Sequence, residues 1–466
     1  MARELLVTLI IFAACGGNHD PTQPDATRPV DSPPSPDATD DAPTLSAVTP
    51  ASGIVTTSIT LTGSRFGAVR GSSTVTVDGV AATISSWSDT QIVATVPDVL
   101  PGPVAVSVTT VDGASGNAPF RVVLPAMVYL NNDANNATNS DTVTVMSFDL
   151  ATGAMAQVGS PIAMGTGTSA FGGCSQSMVV HEHTRHAFAS GTSAVAVYNI
   201  DPVTGALTAA TGSPFSLGGS RGFGMTLNAA GTRLFVTCHD SNQISVFDVA
   251  ANGALAPVTG SPFSTAIPPD TIAIAVNDSF VYANSYSSSF QGLRVTAAGA
   301  LTSLGTTYPV GGTAIWTRPG HDQLYVTIND ELAVLDINAG TGAATHITGS
   351  PFAITGAGTL QSPTFNSDGS RLYMSRVANG NLFAYTLAAA GTPTALAGSP
   401  FNFSASITMS CIAMSRDGAY LVGASESQKL VGVFHLDAAG VPTQVPNSPF
   451  AHTTPSASVS GLAITF

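Results

Sequence analysis

His239 and Asp240 are neighbours in the chain, with Arg221 upstream and Asp270 downstream. These side chains could open a carbonyl compound with water. An imidazole would draw the proton, a carboxylate would stand near it, and a guanidinium would hold the developing oxyanion. His452 is a further imidazole of the same kind, close to the end of the chain. All five lie in polar connecting stretches, where such residues are most often solvated loop groups. The run His181-Glu-His-Thr-Arg-His186 suggests a second chemistry. Alternate residues of a strand share a face, so His181 and His183 could ligate one metal ion. The run falls in a segment that is a polar turn in the other copies of the repeat described below, so neither a metal nor any other cofactor is expected. Cys174, Cys238 and Cys411 follow an isolated Cys15. Three thiols allow one disulfide at most, with Cys174 and Cys411 as neighbours, and buried free thiols are the expectation.

A repeat must position these residues. Gly-Ser-Pro-Phe recurs at 212–215, 260–263, 349–352 and 398–401, and degenerate copies surround Pro161, Pro309 and Pro449. The seven prolines are 53, 48, 47, 42, 49 and 49 residues apart. Periods of this length mark blade or solenoid architectures. Each copy carries an apolar strand such as Cys411-Ile-Ala-Met414, a polar turn such as Asn366-Ser-Asp-Gly-Ser-Arg371, and a strand such as Leu324-Tyr-Val326. A third strand such as Val431-Gly-Val-Phe434 follows, then a glycine-containing turn and a short outer strand ending at Ser-Pro-Phe. Proline is tolerated there because an outermost strand has one unpaired side. Four strands in each of seven copies predict a seven-bladed β-propeller. The first copy, Met127 to Pro161, lacks an innermost strand, and Gly461-Leu-Ala-Ile-Thr-Phe466 supplies one with nothing after it. The C-terminal strand is therefore expected to close the ring and remove two exposed edges.

These repeats, with Asp201-Pro-Val-Thr-Gly-Ala-Leu207 and the Asp-Gly turns before Leu-Tyr, resemble the lactonase family of seven-bladed propellers, which includes bacterial phosphogluconolactonase. The resemblance covers 127–466 and rests on scaffold residues, which fix a fold more firmly than an activity. It implies a pocket over the central channel, where Arg221, His239, Asp240, Asp270, His452, Cys174, Cys411 and the polar stretch Asn131 to Asp141 would gather. His239 would be the base, Asp240 or Asp270 its neighbour, and Arg221 the oxyanion holder. Acting relatives look to combine His, Glu and Arg, yet beyond Glu4 the chain has only Glu182, Glu331 and Glu426. Residues 127–466 hold 17 acidic and 9 basic side chains, a poor match for a phosphorylated substrate. The favoured expectation is thus a binding or interaction platform whose channel mouth takes an unidentified protein, glycan or small molecule. The alternatives are a secreted lactone hydrolase and a purely structural surface module. Convergence of Arg221 and His239 within a few ångströms separates hydrolysis from mere binding.

Ahead of the propeller, Leu45 to Val123 alternates with period two over strands such as Thr74-Val-Thr-Val-Asp78. Val48-Thr-Pro-Ala-Ser-Gly53, Leu61-Thr-Gly-Ser-Arg-Phe-Gly67 and Trp87-Ser-Asp-Thr-Gln-Ile92 resemble the IPT/TIG family of immunoglobulin-like domains, which implies a sandwich over 45–124 that spaces other modules. Phe66 and Trp87 are its expected core anchors. Residues 16–44 hold seven Pro and six Asp with one Arg, a composition that reads as a disordered tether. Leu5 to Ala14 is an apolar run too short to span a bilayer, ending in Ala13-Ala14-Cys15-Gly16. It resembles a bacterial lipoprotein signal over residues 1–15, which implies lipidation at Cys15 and an outer-membrane anchor in the cell envelope. The whole is all-β: a sandwich followed by a propeller. A net charge of −14 leaves no basic face for nucleic acid.

Overall fold

Strands account for all the regular secondary structure, and there is no helix among the described residues. The computed structural model describes residues 42–133, 141–166, 176–286, 289–354, 360–376, 380–402, 408–425, 428–454 and 458–466. The signal, Cys15 and residues 16–41 of the expected tether lie outside them, as do Cys174 and Glu426; the tether reading ends too late, because Thr44 already belongs to the first strand, where it pairs with Ser64.

The first domain packs two sheets face to face. One has the order Thr44–Thr49, Ser58–Ser64, Gln91–Thr95, Thr83–Trp87. The other has the order Ser52–Gly53, Ala118–Val122, Gly102–Thr110, Thr74–Val77, Val80–Ala81. The inward residues are those the alternation picks out: Ile59, Leu61, Val75, Val77, Ile92, Ala94, Val106 and Val108 are all fully buried. Phe66 joins that core, while Trp87 packs on it only partly buried and its Nε1–H donates to Gly67 O at 2.9 Å.

Seven sheets follow, each ordered from an inner strand outwards. The inner strands of the second to seventh are Met178–His181, Gly222–Leu227, Thr271–Ala275, Ala314–Thr317, Leu360–Phe365 and Met409–Met414. The first sheet takes its inner strand from the end of the chain: Ser458–Ile464 runs antiparallel to Met127–Asp133, with Val128 opposite Ile464 and Leu130 opposite Leu462. Thr465 fixes this junction. Its Oγ1 accepts from Met127 N at 3.0 Å and donates to Pro125 O at 2.6 Å. The sheets are numbered here as blades 1 to 7 in chain order.

The Ser-Pro-Phe motif has a different place from the one its sequence suggests. The outer strand does not stop there. It is broken into two pieces, Leu207–Ala209 and Phe215–Ser216 in blade 2, which both pair with Ala194–Ile200. The Ser–Pro bond is cis at Pro214, Pro262, Pro351, Pro400 and Pro449. At each break the serine Oγ accepts the N–H that the interrupted strand leaves behind: Val197 to Ser213, Val246 to Ser261, Val334 to Ser350, Ala384 to Ser399 and Val433 to Ser448, at 2.8–3.0 Å. The side chain thereby supplies the acceptor that the broken outer strand no longer presents to that N–H.

A second repeated contact joins the blades. A tyrosine hydroxyl on the second strand of one blade donates to a turn carbonyl of the next: Tyr129 to Gly205, Tyr282 to Gly342, Tyr325 to Gly391 and Tyr373 to Gly440. Tyr420 of blade 7 completes the circle at Leu150 of blade 1 (3.0 Å). Gly391 shows why the turn needs glycine: φ is +90°, and a Cβ would stand 2.8 Å from Gln323 of the neighbouring blade.

Candidate functional site

The loops that enter the inner strands, and those joining second to third strands, share one end of the ring, here the upper face. Arg221 sits just before the inner strand of blade 3, and His239 just after its second strand, Arg233–Cys238. Antiparallel pairing brings these ends together, so His239 N donates to Arg221 O at 3.0 Å. Asp270 immediately precedes the inner strand of blade 4. Its carbonyl accepts from Gly224 N (2.9 Å) and Thr237 Oγ1 (2.8 Å), and its N–H donates to Asn284 O (2.7 Å). That backbone is therefore fixed by both blades.

The side chains then converge. His239 Nδ1 lies 2.7 Å from Asp270 Oδ1, and Asp270 Oδ2 accepts the N–H of Tyr286 at 2.6 Å. The carboxylate is 9% exposed and the imidazole 29%. Burial pushes the Asp270 carboxyl above its ordinary range, against the pull of the Tyr286 N–H, His239 and Arg221. Arg221 reaches Asp240 at 3.4 Å. Its guanidinium stands 5.4 Å from the Phe223 ring, and that ring stands 5.6 Å from His239. Four of the five residues singled out in the sequence thus form one cluster: Arg221, His239, Asp240 and Asp270. Phe223 and Tyr286 complete it. Only tertiary contact marks them, since Phe223 reads in sequence as an ordinary strand residue.

His452 does not join the cluster. It belongs to blade 7, across the ring, and is 4% exposed with both ring nitrogens unpaired. Burial, helped by Lys429, lowers its pKa to about 4. It is therefore a neutral core imidazole.

Residues 43–122 match the family model of the IPT/TIG domain, and residues 139–272 match that of the lactonase family, a seven-bladed β-propeller. The chain joins an IPT/TIG domain to a lactonase-family propeller. Solved structures of similar fold include a putative 6-phosphogluconolactonase of Bacteroides fragilis, at 14% identity and TM-score 0.58, covering 73% of this chain and 98% of that one. Another is the periplasmic gluconolactonase of Pseudomonas aeruginosa, at 16% identity and TM-score 0.55, covering 73% and 99%. A cyclomaltodextrin glucanotransferase of Geobacillus stearothermophilus is 35% identical over 105 residues, which span 22% of this chain and 14% of that enzyme.

The remaining candidates of the lactonase-family propeller have other roles. His181 Nδ1 meets Thr184 Oγ1 at 3.0 Å, whereas His183 Nδ1 donates to Pro101 O of the IPT/TIG domain at 2.6 Å. The two rings serve different partners, and no group of three metal-ligating side chains occurs among the described residues. Arg185 of the same turn binds Asp98 at 2.7 Å and also donates to Val99 O. The histidine-rich run is thus the seat of the first domain on the lower face. Glu182, also on that face, pairs with Arg416 of blade 7. The expectation of free thiols fails at Cys411, which is disulfide-bonded. Cys238 is free and buried. Chain geometry, not composition, decides such a pairing. Of the polar stretch Asn131 to Asp141, residues 134–140 lie outside the described set. Asn131 turns inward and donates to Ser177 O and Ser190 O.

Proposed function

We propose that the upper face of the propeller opens uncharged lactones with water. The observation that carries this reading is the His239–Asp270 contact beside Arg221, on the face where loops of two blades meet. With Nδ1 turned to Asp270, Nε2 of the part-exposed ring faces outward as the base. It takes a proton from water as the oxygen attacks the lactone carbonyl carbon. Arg221 stands beside the oxyanion. Collapse of the tetrahedral intermediate breaks the ring C–O bond, and the imidazolium returns the proton to the leaving alkoxide. The sum is one water added and one hydroxy acid released. Two aspartates and a single arginine at the site favour a neutral substrate over a phosphorylated one, in keeping with the gluconolactonase name of one similar propeller.

The test is a panel of lactones followed by acid release, with glucono-δ-lactone and its 6-phosphate side by side. The neutral compound should turn over well above the buffer rate, and His239→Ala should abolish that rate. No turnover, or full turnover by His239→Ala, sinks the proposal.

Retained binding without turnover would instead favour the platform reading, which has the half-exposed Tyr286 ring at the same mouth in its support. The envelope anchor belongs to this reading as well: the Ala-Ala-Cys15 signal would tether the propeller through lipid. A Cys15→Ser variant should then leave the membrane fraction, and unchanged partitioning would exclude the anchor.

A further inference from the structure

The channel of the propeller has a roof. Gln176 precedes the inner strand of blade 2, and its side chain crosses towards the blades opposite. Oε1 accepts from Ile272 N of blade 4 at 3.2 Å, and Nε2 donates to Ile315 O of blade 5 at 3.5 Å. Its own carbonyl accepts from Met225 N of blade 3 at 3.1 Å, at a φ of +58°. One amide thus spans edge-strand groups that face the channel and have no strand to pair with.

Beneath Gln176 lies a well of about 410 Å³. Its volume is in the range of small-ligand pockets, about 300–1,000 Å³. The lower parts of all seven inner strands line it, with Met178, Met225, Met414 and Leu462 among the apolar walls. The His239–Asp270 cluster belongs to the opposite end of these strands and shares no lining residue with it.

Two wall residues carry buried polar atoms without a hydrogen bond: Nε1 of Trp316 and Oγ of Ser362. They come from adjacent blades, 5 and 6. Ser362 is 2% exposed and holds a φ of +38°, where the pairing of its strand slips between Gln361 and Thr364. A bulge of this kind re-aims a side chain and recurs beside binding sites, and a non-glycine residue at positive φ points the same way. Flexible thioether walls adapt to varied apolar shapes.

We propose that this well is a second ligand site, separate from the upper cluster, for a compact apolar molecule bearing one carbonyl oxygen. The oxygen would accept from Trp316 Nε1 and Ser362 Oγ, and the hydrocarbon would lie against the methionine walls.

The protein has two tryptophans, Trp87 and Trp316, so Trp87→Phe leaves Trp316 as the only indole reporter. Full-length Trp87→Phe protein is titrated with 2-octanone and with n-octane. Saturable change of Trp316 emission is expected for the ketone, with n-octane at least tenfold weaker. In the same background, Ser362→Ala should weaken the ketone about tenfold and leave n-octane unchanged. Ser362→Gly keeps the positive φ and serves if the alanine variant does not fold. Ala413→Leu, which narrows the well, should abolish both responses, while His239→Ala should leave both intact. The proposal is overturned by a non-saturable response, by equal affinity for ketone and hydrocarbon, or by insensitivity to Ser362 and Ala413 substitution.

Discussion

Removing residues 458–466 takes away the strand that completes blade 1. Val459 is fully buried, and Leu462, Ile464 and Phe466 pack partly buried on the core shared by blades 7 and 1. Phe466 also stacks on Phe148, with ring centres 4.1 Å apart. At the usual return for buried apolar side chains and a stacked pair, the loss is roughly 6 kcal/mol. Lost ladder bonds to Met127–Asp133 add to it, and the second strand of blade 1 becomes an exposed edge. Domains of ordinary stability have only about 5–15 kcal/mol to lose. The truncated protein should therefore lose cooperative unfolding of the propeller in calorimetry and denaturant titration, and a synthetic 458–466 peptide should restore part of it. Thr465→Val is the gentle form of the same experiment. It leaves Met127 N and Pro125 O without their hydroxyl partner and should cost about 2 kcal/mol. A truncated protein that melts cooperatively within about 2 °C of the full chain would refute the reasoning, because for a propeller of this length a shift of that size corresponds to only about 1.5 kcal/mol.

Other outcomes follow from single contacts. Ser350→Ala should cost about 1–2 kcal/mol by orphaning Val334 N, and Ser213→Ala in a distant blade should add to it, as denaturant midpoints would show. His452 gives a pH dependence. The unfolded chain takes up a proton near the ordinary histidine value, the folded chain not until about 4, so this residue's stability is full above the first value and is lost as pH falls towards the second. His452→Gln should remove roughly 3 kcal/mol of that acid sensitivity, measured as stability at pH 4 against pH 7. Asp270 works in the other direction, since burial raises its folded pKa and its contribution to stability falls as pH rises through that range. Asp270→Asn should therefore fold at least as stably at neutral pH while lactone turnover drops at least tenfold. His183→Ala with Arg185→Ala should free the IPT/TIG domain, seen as a larger radius of gyration in solution scattering.

Much of the scaffold is legible in the sequence because it is repeated. The proline ruler, the alternation of Val75 and Val77 in the sandwich, and the orphan strand at the C-terminus each rest on local pattern or on copy-to-copy comparison. The role of Ser-Pro-Phe is legible only in part. Its serines receive an N–H from a strand fifteen or sixteen residues away, and sequence shows the motif without the partner. The site is harder to read. Arg221, His239, Asp240 and Asp270 can be named as polar loop residues, but His452 looks the same in sequence and proves to be a buried imidazole. Phe223, Gln176 and Ser362 carry no sequence signal, because an aromatic or a hydroxyl in a strand and an amide just ahead of one are ordinary.

The sequence by itself determined the architecture: a period of about 48 residues and strands of period two allow few folds but blades around a channel, with a sandwich in front. It also supplied the inventory of chemical groups. Tertiary structure decided which of those groups meet. His239 reaches Asp270 because blades 3 and 4 stand side by side and their upper loops share one backbone anchor at Asp270. The His181–His186 run meets the first domain because its turn lies on the lower face. Such contacts depend on ångström-scale distances between segments far apart in the chain, and local preferences along the chain do not encode those distances individually. They follow from closing the ring, which the last nine residues accomplish by pairing with the first strand of the propeller.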